Sequence, residues 1–508
     1  MDITDRPATA RAGRREWLGL AVLALPILLI SVDFSVLNLA LPNLAADLTP
    51  SSTEQLWILD IYGFMIAGFL LTMGTLGDRV GRRRLLLCGA GAFGACSILA
   101  AYSDSPAMLI AARALLGIAG ATLAPSGLAL IGSMFGDPKQ RATAVAAFTG
   151  CFMGGAIIGP IAGGVLLAHF WWGSVFLLAV PVMLLLLIAG PILLPEYRDP
   201  AASRLDILSV ALSLAGILPV VYGITELSRD AGQPGAWIAL TGGVLVFALF
   251  LLRQSRIRRP LLELRLFTNR IFRGAFTLSL LAGAAQGGSI LMINLYLQTV
   301  LGYSTLRAGL WMVPPALAML VTIALGPALA RTLRPAYITA AGLAIGALGY
   351  TLTTCTTVET GLPPLIIGFA IAMAGIGPGM SLGYDLILRA APPEIAGAAA
   401  ATAEAGGQFG VAAGVALLGS IGTAVYRTTL HLPATIPSPA ADQANESVTG
   451  AFAAAHQLPP TVRDDLLDSA RTAFTSGLHT VTTIGAIMFA ALAVLAIAEL
   501  RQAPPTGK

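Results

Sequence analysis

Apolar runs about 20 residues long recur along the whole chain, separated by short polar breaks. A helix needs about 20 such residues to cross the hydrocarbon of a bilayer. Reading that length along the chain predicts helical spans over 17–41, 56–76, 85–103, 107–134, 142–167, 173–194, 206–227, 236–252, 272–298, 307–330, 335–355, 362–388, 395–426 and 477–499. Fourteen is an even number, so both termini fall on one side. The polar breaks agree. With the N-terminus cytoplasmic, segments on its side hold 24 Lys and Arg, against five on the far side: Arg229, Arg307, Arg427, Arg463 and Arg471. That is the bias of the positive-inside rule. A thirteen-span reading would invert the later loops and spoil it.

One break is long, from Arg427 to Ser476. Thr461-Val-Arg-Asp464 fits an N-cap with an acid three residues on, and Val462, Leu466, Leu467, Ala470 and Phe474 make an apolar stripe. A second amphipathic turn starts near Asn445. A short helical hairpin on the outer face is expected, either as a solvated loop or as a flap over the outward opening.

Composition sharpens the class. The 508 residues are 56% hydrophobic and 11% charged, whereas a soluble domain is about 25% charged. A large water-soluble enzyme is excluded. The net charge of +4 is spread over short loops with no basic stripe, so no nucleic-acid partner is expected. Cys88, Cys96, Cys151 and Cys355 show no metal-ligand spacing and no disulfide framework. Arg11, Arg14 and Arg15 before an apolar run resemble a signal peptide, but the run is too long and carries Asp33, so it reads as a retained first span. Gly89–Gly94 fits a dinucleotide fingerprint and Gly379–Gly383 a nucleophile elbow. Both lie inside predicted membrane spans rather than strand–helix turns, and neither is taken as real. The chain has no Walker motif, so ATP-driven transport is not expected. Neither catalysis nor a bound cofactor or metal is expected.

The candidate chemistry lies in charges at membrane depth. Asp33 sits mid-run in the first span, where a charge costs at least about 2.5–3.5 kcal/mol. Such a residue handles ions, protons or charged ligands unless it sits near a helix end and reaches the headgroups. Arg113, six residues into the fourth span, stays charged and needs a partner. Span one exits outward and span four enters from outside, so the two sit at similar depth and pair directly or through water, unless Arg113 snorkels to the interface. Asp60 lies one turn inside the outer end of span two. Glu404 lies about nine residues into span thirteen with Gln408 one turn on, placed to line a central cavity. Asp385 is near the inner end of span twelve. Phe34, Trp57, Tyr62 and Trp311 either make cation–π contacts or pack as ordinary aromatics.

Two glycine-rich patterns complete the set. Gly74-Thr-Leu-Gly77-Asp78-Arg79-Val-Gly81-Arg82-Arg83-Arg84 joins spans two and three, with glycines that allow a tight turn. Span five reads Gly150-Cys-Phe-Met-Gly154-Gly155-Ala-Ile-Ile-Gly159-Pro160-Ile-Ala-Gly163-Gly164, whose glycines are expected to form one smooth packing face, with Pro160 permitting a bend.

The first of these patterns resembles the loop signature of the major facilitator superfamily of secondary transporters. The span-four stretch around Arg113 resembles its fourth-span motif, and Gly159-Pro160 with Gly163-Gly164 resembles the motif of its drug–proton antiporters. With Val32-Asp33 through Pro42, Gln55 through Tyr62 and Trp172 through Phe176, the chain resembles, over essentially its whole length, the fourteen-span drug:proton antiporters of that superfamily that export quaternary ammonium compounds and cationic dyes. The resemblance implies an all-α integral membrane protein of the major facilitator fold. A cytoplasmic N-terminus (1–16) would precede a six-helix bundle (17–194), two inserted helices (206–252) and a basic cytoplasmic loop (253–271). A second six-helix bundle (272–499) carrying the external loop 427–476 and a cytoplasmic tail (500–508) would follow. It also implies that Gly74, Gly77, Asp78, Arg79, Gly81 and Arg82 act as a conformational latch, that Arg113 is linked to proton transfer, and that substrate and proton sites lie between the bundles near the midplane.

The expected function is proton-coupled multidrug efflux across the cytoplasmic membrane by a monomer driven by the proton gradient. The partners are a lipophilic, cationic small molecule, protons and the bilayer. Two departures bear on substrate: span ten (307–330) has no acid, and Ala403 precedes Glu404 where some relatives carry paired acids, which argues against divalent cations. The competing expectation is a dedicated exporter of an endogenous antibiotic or other metabolite.

Overall fold

The computed structural model describes residues 12–198, 206–229, 232–257, 260, 262–358, 361–390, 396–432, 436–456 and 458–501, and all regular structure among them is helical. The first group of helices is α1 (Arg14–Leu48), α2 (Ser52–Val80), α3 (Arg82–Ala101), α4 (Pro106–Gly120), α5 (Leu123–Met134), α6 (Pro138–His169), α7 (Ser174–Leu177) and α8 (Ala179–Leu193). A pair follows, α9 (Ile207–Arg229) and α10 (Pro234–Gln254). The last group is α11 (Arg270–Leu295), α12 (Thr305–Trp311), α13 (Val313–Leu329), α14 (Pro335–Thr353), α15 (Leu362–Ala390), α16 (Ala396–Thr429), α17 (Ser438–Glu446), α18 (Val448–Ala455) and α19 (Pro460–Leu500). Twelve helices among the described residues are long and apolar enough to cross a membrane, counting α4–α5, α7–α8 and α12–α13 as one each. Beside them stand α2, bent by 53° near Leu71, and the 32-residue α6 with its internal Pro160.

Local chemistry sets several boundaries. Ser51 Oγ accepts from Glu54 N while the Glu54 carboxylate accepts from Ser51 N, a capping box that starts α2. Gly81 ends α2 with φ +117°, a conformation that side chains resist, and the same residue caps α3. Asn269 and Ser304 cap α11 and α12 through their side chains. Met312 divides α12 from α13 just before Pro314-Pro315, which lack backbone donors.

α1 to α8 pack chiefly among themselves, as do α11 to α16 with α19; α2 against α16 and α6 against α12 join the two groups. We name the two ends of the molecule by their landmarks. The basic end carries the Gly74–Arg84 turn. The hairpin end carries α17 and α18.

The hairpin end differs from its sequence expectation in two ways. The last long helix does not begin near 477 but at Pro460, with Pro459 rather than Thr461 as N-cap, and it runs unbroken to Leu500. The apolar stripe expected of a separate hairpin arm lies on the first four or so turns of that helix, with Leu466, Ala470 and Phe474 buried. The hairpin consists of α17 and α18, turned at Ser447, whose hydroxyl accepts from Gly450 N. It is packed rather than solvated: Val448, Ala451 and Ala455 are buried. Gln55 Nε2 of α2 donates to Ser447 Oγ at 3.3 Å, Thr449 Oγ1 donates to Gln55 Oε1 at 3.3 Å, and Ser52 donates to Glu446. Arg427 of α16 pairs with Glu446 at 2.8 Å, and Tyr426 OH donates to Ala444 O. The hairpin thus ties α2 to α16 above a small cavity lined by Leu41, Leu56, Leu59, Leu291, Tyr426 and Phe474.

Candidate functional site

The site is built where α1, α2 and α4 meet. Arg113 on α4 is 1% exposed at its side chain and Asp33 on α1 is 13% exposed. Arg113 Nη1 donates to Asp33 Oδ2 at 2.5 Å, so the two charges are joined directly, not through water. The rest of the guanidinium turns to α2, with Nε donating to Ile58 O at 3.1 Å and Nη2 to Leu59 O at 3.4 Å. This reach depends on Gly117, one turn on from Arg113. A Cβ there would come within 2.6 Å of Tyr62 O and of Met65 Cβ, so its absence lets α2 press against α4. The Tyr62 ring lies 4.4 Å from the Arg113 guanidinium carbon and 4.9 Å from the Phe34 ring; Phe176 covers Arg113 at 5.9 Å. An ion pair in low dielectric is thereby wrapped by aromatic faces and backbone dipoles, which offset part of its desolvation cost. Asp33, Phe93, Ser97 and Phe176 also line a small cavity between α1, α3 and α7.

Asp60 is the next residue after the two carbonyls that Arg113 holds. It is 3% exposed, and its Oδ2 has no hydrogen-bond partner among the described residues. A buried carboxylate oxygen without a donor is costly while charged.

The span-five glycines divide between two neighbours. Gly155, Gly159 and Gly163 face α1: a Cβ on them would strike Leu28 O and Ser31, Ser35 and Val32, and Val36 respectively. Gly164 and Pro160 O face α12, against Leu306 and Gly309. Gly150 and Gly154 meet nothing within 4 Å, so the single smooth face expected of all these glycines is not formed. The part that is formed clasps the 28–36 stretch of α1, the stretch that carries Asp33.

At the basic end, Arg82 is buried and pairs with Asp78 at 2.6 Å. Gly77 permits this, since a Cβ there would sit 2.9 Å from Arg82 Cδ. A side chain on Gly81 would collide with Glu196. Glu196 accepts from Arg83 N at 3.1 Å and faces the Arg83 and Arg84 guanidiniums, and Tyr197 O accepts from Arg82 N. Glu196 and Tyr197, after α8, therefore complete the turn. Sequence reading missed them, although Glu196 is an acid on the same predicted side as the Arg cluster. Gly74 has only Pro125 at 4.0 Å, and Arg79 is exposed.

Glu404 stands apart from this cluster. It is exposed on α16 and accepts a hydrogen bond from Gln408 Nε2 on the same helix at 3.0 Å. Ala403 beside it is buried. Asp385 lies on α15 with its side chain outside the described residues. Trp57 and Trp311 are half-buried. Sequence reading also missed Glu226 of α9, buried at 5% and bonded by Thr53 Oγ1 of α2 at 2.9 Å.

A many-helix membrane protein with a buried Asp–Arg pair between its helices has the make-up of a membrane transporter rather than of an enzyme. The family model described as Major Facilitator Superfamily matches residues 23–429, and the chain belongs to that superfamily. It is 40% identical to the multidrug efflux pump LfrA of Mycolicibacterium smegmatis, over 98% of this chain and 99% of that one. It is 33% identical to the methyl viologen resistance protein SmvA of Salmonella typhimurium, over 91% and 93%. Against the tetracenomycin C resistance and export protein of Streptomyces glaucescens it is 28% identical, over 97% and 93%. Among solved structures, a bacterial homologue of the human lysosomal transporter Spinster matches with TM-score 0.66 at 15% identity, covering 96% of this chain and 99% of that one, and shows the fold.

Proposed function

We propose that this chain is a proton-coupled multidrug efflux antiporter that exports lipophilic cations across the cytoplasmic membrane. Its topology is read as fourteen crossings, the twelve above together with α2 and α6, with both termini and the basic end cytoplasmic and the hairpin end outside. The carrying observation is the Asp33–Arg113 pair with Asp60 beside it, buried in the bundle and clasped by the glycines of α6. A relative named for multidrug efflux supports drug export, and one named for resistance to methyl viologen, a dication, supports cationic cargo while running against the expectation that divalent cations are disfavoured.

In this reading, a proton or a cationic drug competes with Arg113 for the Asp33 carboxylate. Drug bound from the cytoplasm leaves outward; a proton then neutralises an acid and returns inward. The membrane potential contributes about 2.3 kcal/mol per charge per 100 mV. Glu404, exposed on the opposite group of helices, supplies a second carboxylate to the cation. Export of an endogenous antibiotic is the second reading, favoured by relatives named for tetracenomycin C and cephamycin export.

Ethidium efflux from energised cells lacking their own pumps tests the first reading, comparing wild type with Asp33→Asn, with and without an uncoupler. Uncoupler-sensitive efflux that Asp33→Asn abolishes supports it. No efflux by the wild type transfers the assignment to a metabolite exporter.

A further inference from the structure

The pair α9–α10 lies outside both groups of helices and has no part in the site. Its two members are bound firmly to each other. Gly216 of α9 packs against Phe247 of α10, a Cβ there meeting its Cα at 2.8 Å, and Gly243 of α10 packs against Val220 of α9. At one end Asp206 pairs with Arg253 at 2.8 Å, and Gln254 Nε2 donates to Ser209 Oγ at 2.7 Å. The pair is seated through α9, which lies over the seam where α2 meets α16. That seam is close-packed: a Cβ on Gly63 would meet Ala412 Cβ at 3.1 Å, and the Phe64 and Phe409 rings are 5.6 Å apart.

The two sides of this seat differ. Toward α2, α9 is held at two separated points. The buried Thr53–Glu226 hydrogen bond fixes one end, and Leu214 fills the hollow left by Gly68, where a Cβ would sit 2.6 Å from Leu214 Cδ2. Thr53 and Gly68 are about 22 Å apart along α2 at 1.5 Å per residue, so the grip spans about half of the helix. Toward α16, α9 presents Val221, with Ile217 and Leu218 beside it, to Ala412, Ala413 and Ala416, and Phe409 and Leu417 of α16 pack against the same cluster. Under Val221 the three alanines present only methyl groups, whereas the α2 side holds α9 by a buried hydrogen bond.

We propose that α9–α10 is a lateral cover that travels with the α2 group of helices and slides over the alanine face of α16, keeping lipid out of the α2–α16 seam through the transport cycle. The inference rests on the transport reading above, because only a rocking carrier moves α2 against α16. It follows that lipophilic substrate reaches the interior by a route other than this seam.

Paired cysteines test it in the full-length protein. Thr53→Cys with Glu226→Cys ties α9 to α2, and Val221→Cys with Ala413→Cys ties α9 to α16. Oxidative cross-linking of the first pair leaves ethidium efflux at the uncross-linked rate. Cross-linking of the second lowers it at least tenfold, and reductant restores it. Arrest by the first tether, tolerance of the second, or failure of the second pair to cross-link overturns the proposal. Cross-link yield in membranes, with the proton gradient imposed or collapsed, gives a readout independent of efflux. The α2–α9 yield stays constant and the α9–α16 yield shifts. The reverse pattern overturns the cover even where the substrate assignment has failed.

Discussion

The acids of the two halves of this transporter live under opposite conditions. Asp33 and Asp60 are enclosed among α1, α2 and α4, the first paired to Arg113 and the second with one oxygen unpartnered. Glu404 is exposed on α16, bonded to its own helix neighbour Gln408. An enclosed ion pair has large electrostatic coupling to its surroundings, because low dielectric does not screen it; an exposed carboxylate has little. In the proposed cycle, the first half would make conformation depend on charge, and the second would meet a ligand without disturbing the fold.

The largest effect expected from breaking this contrast is at Arg113. Arg113→Ala strands the Asp33 carboxylate and frees two carbonyls, a loss of about 3–5 kcal/mol for a buried pair. Thermal unfolding in detergent should show a clear fall with efflux abolished, and an unchanged midpoint would refute the enclosed-pair picture. Next in size is the clasp. Gly159→Val drives a side chain into Ser35 and Val32 and should lower efflux more than tenfold at normal expression, whereas Gly154→Val enters open space and should be tolerated; equal effects on initial ethidium rates would show that contact with α1 is not what the motif supplies. A smaller change sharpens the role of Asp60. Asp60→Asn should slow efflux without lowering thermal stability, because one of its oxygens has no bond to lose. The smallest is Glu404→Gln, which should raise KM for a cationic substrate up to about tenfold, or 1.4 kcal/mol, and leave a neutral substrate unaffected. A drop in melting temperature for Glu404→Gln would place it with the enclosed acids instead.

Much of this was legible in the chain before any coordinates. Span length located the helices, and equal depth in oppositely directed spans put Asp33 opposite Arg113. What stayed hidden depended on contacts between distant segments. Nothing local marks Ile58 and Leu59 as acceptors, since every residue has a carbonyl and only the approach of α4 at Gly117 selects these two. Gly150 and Gly154 look the same in sequence as Gly155 and Gly159, and one residue of helical phase decides which meet α1. Glu226 was overlooked because an acid near a span end resembles an interface residue until Thr53 is seen beside it. The start of α19 was misplaced because a polar, amphipathic first segment can fold on as the continuation of a membrane helix when α18 covers its apolar stripe.

The bonds from Arg113 to α2 carry a consequence for how this protein tolerates drift. Side chains at 58 and 59 can be exchanged by single-base changes, but the carbonyls they hang from cannot. A lineage can therefore change the side chains on that stretch of α2 without losing the bonds to Arg113. The constraint is displaced onto Gly117, which has no side chain to vary and whose smallest replacement would push α2 away. Variation should accumulate on α2 around an unchanging glycine on α4.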